Sequence, residues 1–302
     1  MKLAVEFPSV AYREGRDKVL ELAKAIEDIG YDELAVFDHV VMGFPAEGRT
    51  TMYPARMPIL EAFMTLALVT AVTDRVSLST EVLVLPQRQP VLVAKQVSTL
   101  DTLSNGRVRL GVGVGWQDSE YDALEEDFSN RGKRMDEAID LLRAYWGDEE
   151  IEFIGEHYKS TAMGMEPKPP QGANIPIWIG GGSKAALRRT ALRGDGWMGS
   201  GMNDERLIEG RATIRRLAEE AGRDPESIGM QVMLAPPPVT DEDKRFYTEL
   251  DTITARAVQV QKMGFEWTAI NATAIFQAGA RSVDAIIDRL GEIHEAVRAE
   301  TA

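Results

Sequence analysis

Residues 76–112 read VSLSTEVLVLPQRQPVLVAKQVSTLDTLSNGRVRLGV, one complete strand–helix–strand unit. Val76–Leu85 is rich in β-branched residues and stops at Pro86, which predicts a strand. Val91–Leu103 carries apolar residues at helical spacing and closes at Asn105-Gly106, a turn signal. Val108–Val112 is apolar again and predicts a second strand. Strands joined through a helix run parallel, so repetition of this unit builds a closed barrel or an open doubly wound sheet.

The same rhythm extends in both directions. Upstream, strands at Leu3–Phe7 and Glu33–Phe37 flank a helix over Asp17–Ile29 that stops at Gly30, and Leu60–Thr73 predicts an apolar helix. Downstream come a helix over Arg131–Trp146, a strand at Ile175–Ile179, and a helix over Lys184–Arg193. A short strand at Gly196–Met198, a helix over Asp204–Ala221 and a strand at Ile228–Leu234 follow, the last ended by Pro236-Pro237-Pro238. Glu242–Met263 predicts a helix, Trp267–Asn271 a strand and Val283–Val297 the last helix. About eight β-then-α units in 302 residues predict a single α/β domain over 1–302, a (β/α)8 TIM barrel. The open sheet is the alternative. Two segments interrupt the rhythm. Val40–Pro58 is a long loop with Gly43, Pro45, Gly48, Pro54 and Pro58, and Gly147–Gly172 holds a hairpin around Gly155 and a Pro-rich run. Both read as insertions at the C-terminal face, where barrels keep their chemistry.

Composition narrows the chemistry. The formal charge of −14 repels phosphate backbones, so no nucleic-acid partner is expected. The absence of cysteine removes disulfides, thiolate catalysis and thiolate-held metals. No apolar run approaches the roughly 20 residues that span a bilayer, and the N-terminus reads as a strand, so no membrane partner and a cytoplasmic location are expected.

The ends of the predicted strands hold the candidate site. Asp38-His39 follows the second strand. Histidine exchanges a proton near neutral pH, and Asp38 beside it can orient a ring or bind a polar edge. A histidine satisfied by loop backbone is the competing reading, and His157 and His294 fit surface roles. Glu81 lies in an otherwise apolar strand, where a carboxylate is costly unless it is paired or reaches a cavity. Gly111-Val112-Gly113-Val114-Gly115-Trp116 follows the fourth strand, and glycines there let a bulky ring approach the backbone. The string lacks the spacing of a dinucleotide fingerprint. Gly180-Gly181-Gly182-Ser183 precedes a helix, and Gly199-Ser200-Gly201 follows the next strand. Bare amides at a helix N-terminus make a phosphate cradle, and a tight strand-to-helix turn is the plainer reading. No HExxH, His pair or carboxylate cluster points to a metal, and no strand-end lysine or G-x-S-x-G elbow is present. A phosphate cradle with few acid–base groups suggests that a cofactor carries the hard chemistry.

Asp38-His39, the run from Leu78 to Trp116, PKPP at 167–170 and PIWIGGGSKAALRRTALRGDGW at 176–197 together resemble the luciferase-like monooxygenase superfamily. Within it, the chain is similar to the branch of oxidoreductases that use the deazaflavin coenzyme F420. The resemblance implies a barrel with the cofactor ring at its C-terminal mouth, hydride transfer to or from a small-molecule substrate, and a homodimer. It implies a non-proline cis peptide at Glu81–Val82 behind the ring, with Gly113 and Gly115 alongside it. It implies phosphate contacts from Gly180, Gly181, Gly182, Ser183, Ser200 and Gly201, and contact of Asp38 or His39 with ring or substrate. The alternative it leaves open is FMN in a two-component, oxygen-using monooxygenase. Trp116 stands where sugar-phosphate dehydrogenases of the superfamily carry an acidic glutamate, which points to a more apolar substrate. Glu81 stands where relatives often have a small residue.

Overall fold

The computed structural model describes residues 1–46, 52–235, 243 and 245–301. Gly48, Pro236-Pro237-Pro238 and Glu242 lie outside the described residues. The barrel strands are β1 (Lys2–Phe7), β2 (Glu33–Val36), β3 (Ser77–Thr80), β4 (Val108–Gly113), β5 (Ile177–Gly180), β6 (Gly196–Gly199), β7 (Gly229–Met233) and β8 (Trp267–Asn271). Each pairs in parallel with the next, from β1 through to β8. The ring closes where β1 meets β8, from Lys2 opposite Trp267 to Glu6 opposite Asn271. That pairing excludes the open sheet, which would leave two free edges.

A helix follows every strand: α1 (Arg16–Ile29), α2 (Ala62–Val69), α3 (Pro90–Leu103), α4 (Arg131–Gly147), α5 (Lys184–Arg193), α6 (Asp204–Glu220), α7 (Leu250–Lys262) and α8 (Val283–Thr301). Alternate strand residues face outward. Leu3, Val5 and Phe7 of β1, Leu78 of β3, and Ile177 and Ile179 of β5 join the buried helix faces in one hydrophobic layer. The inward set mixes small and aromatic residues with the polar Glu33, Arg109 and Gln231. The Arg109 guanidinium lies 4.0 Å from the Trp178 ring and 4.5 Å from the Trp267 ring. It pairs with Glu33 and donates to Gln231 Oε1 at 2.6 Å, which neutralises its charge inside the barrel. No helix among the described residues is long and apolar enough to cross a membrane.

Three elements differ from the sequence reading. The strand expected over Val76–Leu85 divides: the Glu81–Val82 peptide is cis, Leu83–Val84 pairs again with the end of β4, and a 3-10 turn takes Leu85–Gln87. The helix expected over Leu60–Thr73 shortens to α2 because Glu61 caps its start, its carboxylate accepting from Met64 N at 2.7 Å. The helix expected over Glu242–Met263 is interrupted: Asp243 and Arg245 are helical, a 3-10 turn takes Phe246–Thr248, Glu249 is extended (φ −117°), and α7 runs from Leu250.

Two carboxylates brace the frame. Glu27 of α1 accepts from the amides of Asp74, Arg75 and Val76 at 2.6–3.0 Å, tying α1 to the start of β3. Burial pushes this carboxyl up, but the three amides more than reverse it and hold it below its usual value. Glu137 of α4 accepts from the amides of Glu156, His157 and Tyr158 at the tip of the hairpin Ile151–Ile154/Lys159–Met163. Glu137, Glu156 and His157 cluster there, with the Glu137 oxygens committed to the hairpin turn.

Candidate active site

The loops that carry the expected site residues all leave the C-terminal ends of parallel strands, so they share one mouth. After β2, both Asp38 and His39 are buried. Asp38 is held by a two-pronged pair with Arg88, 2.9 Å to each oxygen, and accepts from Val84 N at 3.1 Å. It thereby ties the β2 loop to the segment after β3. His39 Nδ1 lies 2.9 Å from Glu120 Oε2. The other oxygen of Glu120 accepts from Val40 N at 2.6 Å and Val41 N at 3.3 Å. Burial pushes the Glu120 carboxyl up, but the His39 hydrogen bond and charge, with Gln87 and Val40 N–H, hold it below its usual value. A carboxylate on Nδ1 fixes the tautomer with the proton on that nitrogen and leaves Nε2 as the acid–base atom.

Four rings meet edge to face at this point. His39 lies 5.0 Å from Phe37, 6.0 Å from Tyr53 and 5.6 Å from Trp116, and Tyr53 lies 5.8 Å from Trp116. Burial pushes the Tyr53 hydroxyl up to about 12. Trp116 is 38% exposed and forms the rim. A cavity of about 310 Å³ opens between His39, Val40, Val41 and Met42 on one side and Ala55 and Met57 on the other. Val40, Val41, Phe44 and Met52 are exposed, an apolar entrance.

At the end of β3, Val82 turns across the ends of β4 and β5. A Cβ on Gly113 would fall 2.7 Å from one Val82 methyl, and a Cβ on Gly180 2.9 Å from the other. Val84 occupies the equivalent space over Gly115, at 2.7 Å. The room these glycines leave is thus filled by two valines, where the sequence reading left it open for a ring. Glu81 points inward: its Oε1 accepts from Gln231 Nε2 at 2.9 Å, and its buried Oε2 has no partner among the described residues.

The two small-residue loops are neighbours. Gly180 is in register with Met198, and Gly181 N donates to Met198 O at 3.3 Å. Gly181 has φ +107°, which only glycine adopts readily, and its carbonyl accepts from Trp197 Nε1 at 2.8 Å. Gly181, Ser183, Ser200 and Gly201 are exposed and Gly182 half-buried. The Ser183 hydroxyl caps α5, accepting from Ala186 N at 3.1 Å.

A family model described as luciferase-like monooxygenase matches residues 3–290. The chain belongs to this family. An uncharacterized protein of Mycobacterium tuberculosis is 38% identical over 211 residues, covering 68% of this chain and 72% of the relative. An F420-dependent glucose-6-phosphate dehydrogenase of Nocardia farcinica is 29% identical over 263 residues, 82% of this chain and 74% of that protein. Among solved structures, monooxygenase RslO1 from Streptomyces bottropensis superposes with a TM-score of 0.82 at 19% identity, covering all of both chains. At that identity the likeness is one of fold. Members of the luciferase-like family are oxidoreductases or monooxygenases, and that is the class of this chain.

Several residues at this mouth escaped the sequence reading. Glu120 sits on a short helix, Asp118–Ala123, that its neighbours Gln117, Asp118, Ser119 and Asp122 made look like loop. Arg88 lay inside the 76–112 run but carried no motif. Tyr53 lay in the Val40–Pro58 loop but was not singled out, and Glu6, Gln231 and Tyr247 reach the mouth only through barrel closure, which no local pattern encodes. Of the histidines set aside, His294 packs half-buried against Tyr31, its Nε2 3.2 Å from Gly30 O.

Proposed function

We propose that this protein is an F420-dependent oxidoreductase that transfers a hydride between the deazaflavin and a small, largely apolar organic substrate. The observation that carries the reading is the buried His39–Glu120 pair at an apolar cavity, its imidazole packed on Tyr53 and Trp116, with the two small-residue loops at the same mouth. The residues fit a phosphorylated tricyclic ring. Gly180, Gly181, Gly182 and Ser183, at the positive end of α5, with Ser200 and Gly201 alongside, would hold the phosphate. Val82, seated on Gly113 and Gly180, and Val84, seated on Gly115, would back the ring, and Glu81 would meet its polar edge. When bound, the deazaflavin supplies the hydride acceptor or donor.

The chain's own residues do the rest. His39 holds or gives up, at Nε2, the proton that accompanies hydride transfer. Glu120 orients that imidazole. Asp38, through Arg88 and Val84 N, fixes the loop that carries His39 and so acts by position. Trp116 and the apolar entrance exclude water and favour an apolar substrate over a sugar phosphate. The dehydrogenase of Nocardia farcinica supports the F420 assignment, being a sequence relative over most of the chain. FMN carries the same ring shape and phosphate, and with a flavin reductase and oxygen it would make the protein a two-component monooxygenase.

Turnover assays separate the two. Purified protein is given reduced F420 with carbonyl and enone acceptors, oxidised F420 with alcohols, or FMN with a flavin reductase and an oxygen electrode. F420-coupled turnover that falls about 10²–10⁴-fold in His39→Ala is expected. Reductase-coupled oxygen uptake with no F420 turnover would overturn the assignment.

A further inference from the structure

Glu81 is a carboxyl without a counterion. The cation that faces it, Arg109, is already paired with Glu33 and held between Trp178 and Trp267. Gln231 stands between them, and its orientation follows from its neighbours. Its Oε1 accepts from Arg109 at 2.6 Å, so the atom it offers Glu81 is the Nε2 donor. Glu81 Oε1 is therefore an acceptor in every state. The carbonyl oxygen of a neutral carboxyl is its better acceptor, which assigns that role to Oε1 and a proton to Oε2, the buried oxygen that has no partner among the described residues. The groups that face Glu81 from the surrounding elements are Glu6 on β1, Glu33 on β2, Arg109 on β4, Gln231 on β7 and Tyr247 of the Phe246–Thr248 turn. Three of these carry carboxyl or phenol groups, and the one cation among them is neutralised.

We propose that Glu81 is a protonated carboxyl that donates a hydrogen bond from Oε2 to an uncharged acceptor, a carbonyl oxygen or ring nitrogen, on the ligand at the barrel mouth. This rests on the reading of the mouth as a cofactor site and assigns that site one of its recognition contacts. Burial, and then the Glu33 charge, push the Glu81 carboxyl up to about 7, with Arg109 and Gln231 opposing. Glu6 is raised by burial and by Glu81 itself, so the two carboxyls resist ionising together. A ligand that accepts from Oε2–H binds the protonated form, and its affinity therefore falls as pH rises through the titration of Glu81. Gln231 is a positioning residue: its amide determines which oxygen of Glu81 carries the proton.

The test compares wild type with Glu81→Gln, which keeps shape and a donor but cannot titrate, and with Glu81→Leu, which loses both. F420 and FMN are each titrated against the three proteins between about pH 6 and pH 8.5. The wild-type affinity for whichever cofactor binds is expected to fall by up to about tenfold per pH unit relative to Glu81→Gln, in which ligand titration is common and cancels. Glu81→Leu is expected to bind weakly at every pH. Infrared difference spectra of the unliganded proteins provide a readout independent of any ligand. Wild type minus Glu81→Gln should show a protonated-carboxyl C=O stretch at pH 6 that is lost towards pH 8.5. A wild-type to Glu81→Gln affinity ratio that is flat with pH, or absence of that infrared band, overturns the proposal while leaving the cofactor reading intact. Failure of both cofactors to bind overturns the cofactor reading instead, and the infrared band then decides the protonation of Glu81 by itself.

Discussion

At the residue scale, the site turns on one carboxylate with three tasks. Glu120 accepts from the ring of His39 and from the amides of Val40 and Val41, so it holds at once the acid–base group and the loop that carries it. Its carboxyl is held below the usual value in the folded protein. For such a group the stabilisation is complete above the unfolded pKa and is lost as pH falls through the folded one. The β2 loop should therefore stay assembled at neutral pH and loosen only in acid, below the ordinary carboxylate range. Glu120→Gln keeps the volume but removes the charge. It is expected to lose about 2 kcal/mol in urea denaturation at neutral pH, with the difference from wild type shrinking in acid. Unchanged stability in neutral solution would remove Glu120 from this role. Asp38 and His39 were readable from sequence because they sit side by side after a strand. Glu120 was not, because its partner lies 81 positions away and only the closed barrel brings them together.

At the element scale, the strand ends are shaped by what glycine omits. A Cβ on Gly111 would fall 2.0 Å from the Thr80 carbonyl oxygen, and Thr80 Oγ1 donates to Gly111 O at 2.6 Å, so β3 and β4 meet more closely there than any side chain allows. Backbone cannot yield as a flexible side chain does. Gly111→Ala should cost more than about 3 kcal/mol, read as a large drop in the denaturant midpoint or failure to fold. A midpoint near wild type would mean that this contact is looser than described. The strand and helix pattern was largely legible because every unit buries an apolar strand under an amphipathic helix. The division of β3 at Glu81–Val82 was not legible from periodicity, since Val82, Leu83 and Val84 continue an apolar run. Only the family resemblance pointed to it. The glycines after β4 were legible as sites of close approach, but not what approaches, because Val82 and Val84 come from a neighbouring strand end.

At the scale of the whole molecule, the barrel separates stability from chemistry. Arg109, sandwiched by two tryptophans, fills its interior, and the mouth above is free to carry polar groups. The outer surface has its own signal. Met64 and Leu68, one turn apart on α2, are 73% and 36% exposed, with Leu92 on the adjoining α3 at 58%. An apolar face of this kind supports the expected homodimer. Sedimentation should give twice the 33.4 kDa chain mass, and a Met64→Glu, Leu92→Glu double variant should sediment as a monomer. A monomeric wild type would dismiss the dimer and leave the site as described. The C-terminal mouth is proposed to hold a phosphorylated deazaflavin. Titrating F420 and FMN into the purified protein, followed by quenching of cofactor fluorescence, tests it most directly. Saturable F420 binding, with FMN at least tenfold weaker and F420 affinity reduced in a Gly182→Asp variant, is the predicted result. Tight FMN binding with none to F420, or F420 binding untouched by Gly182→Asp, would contradict it.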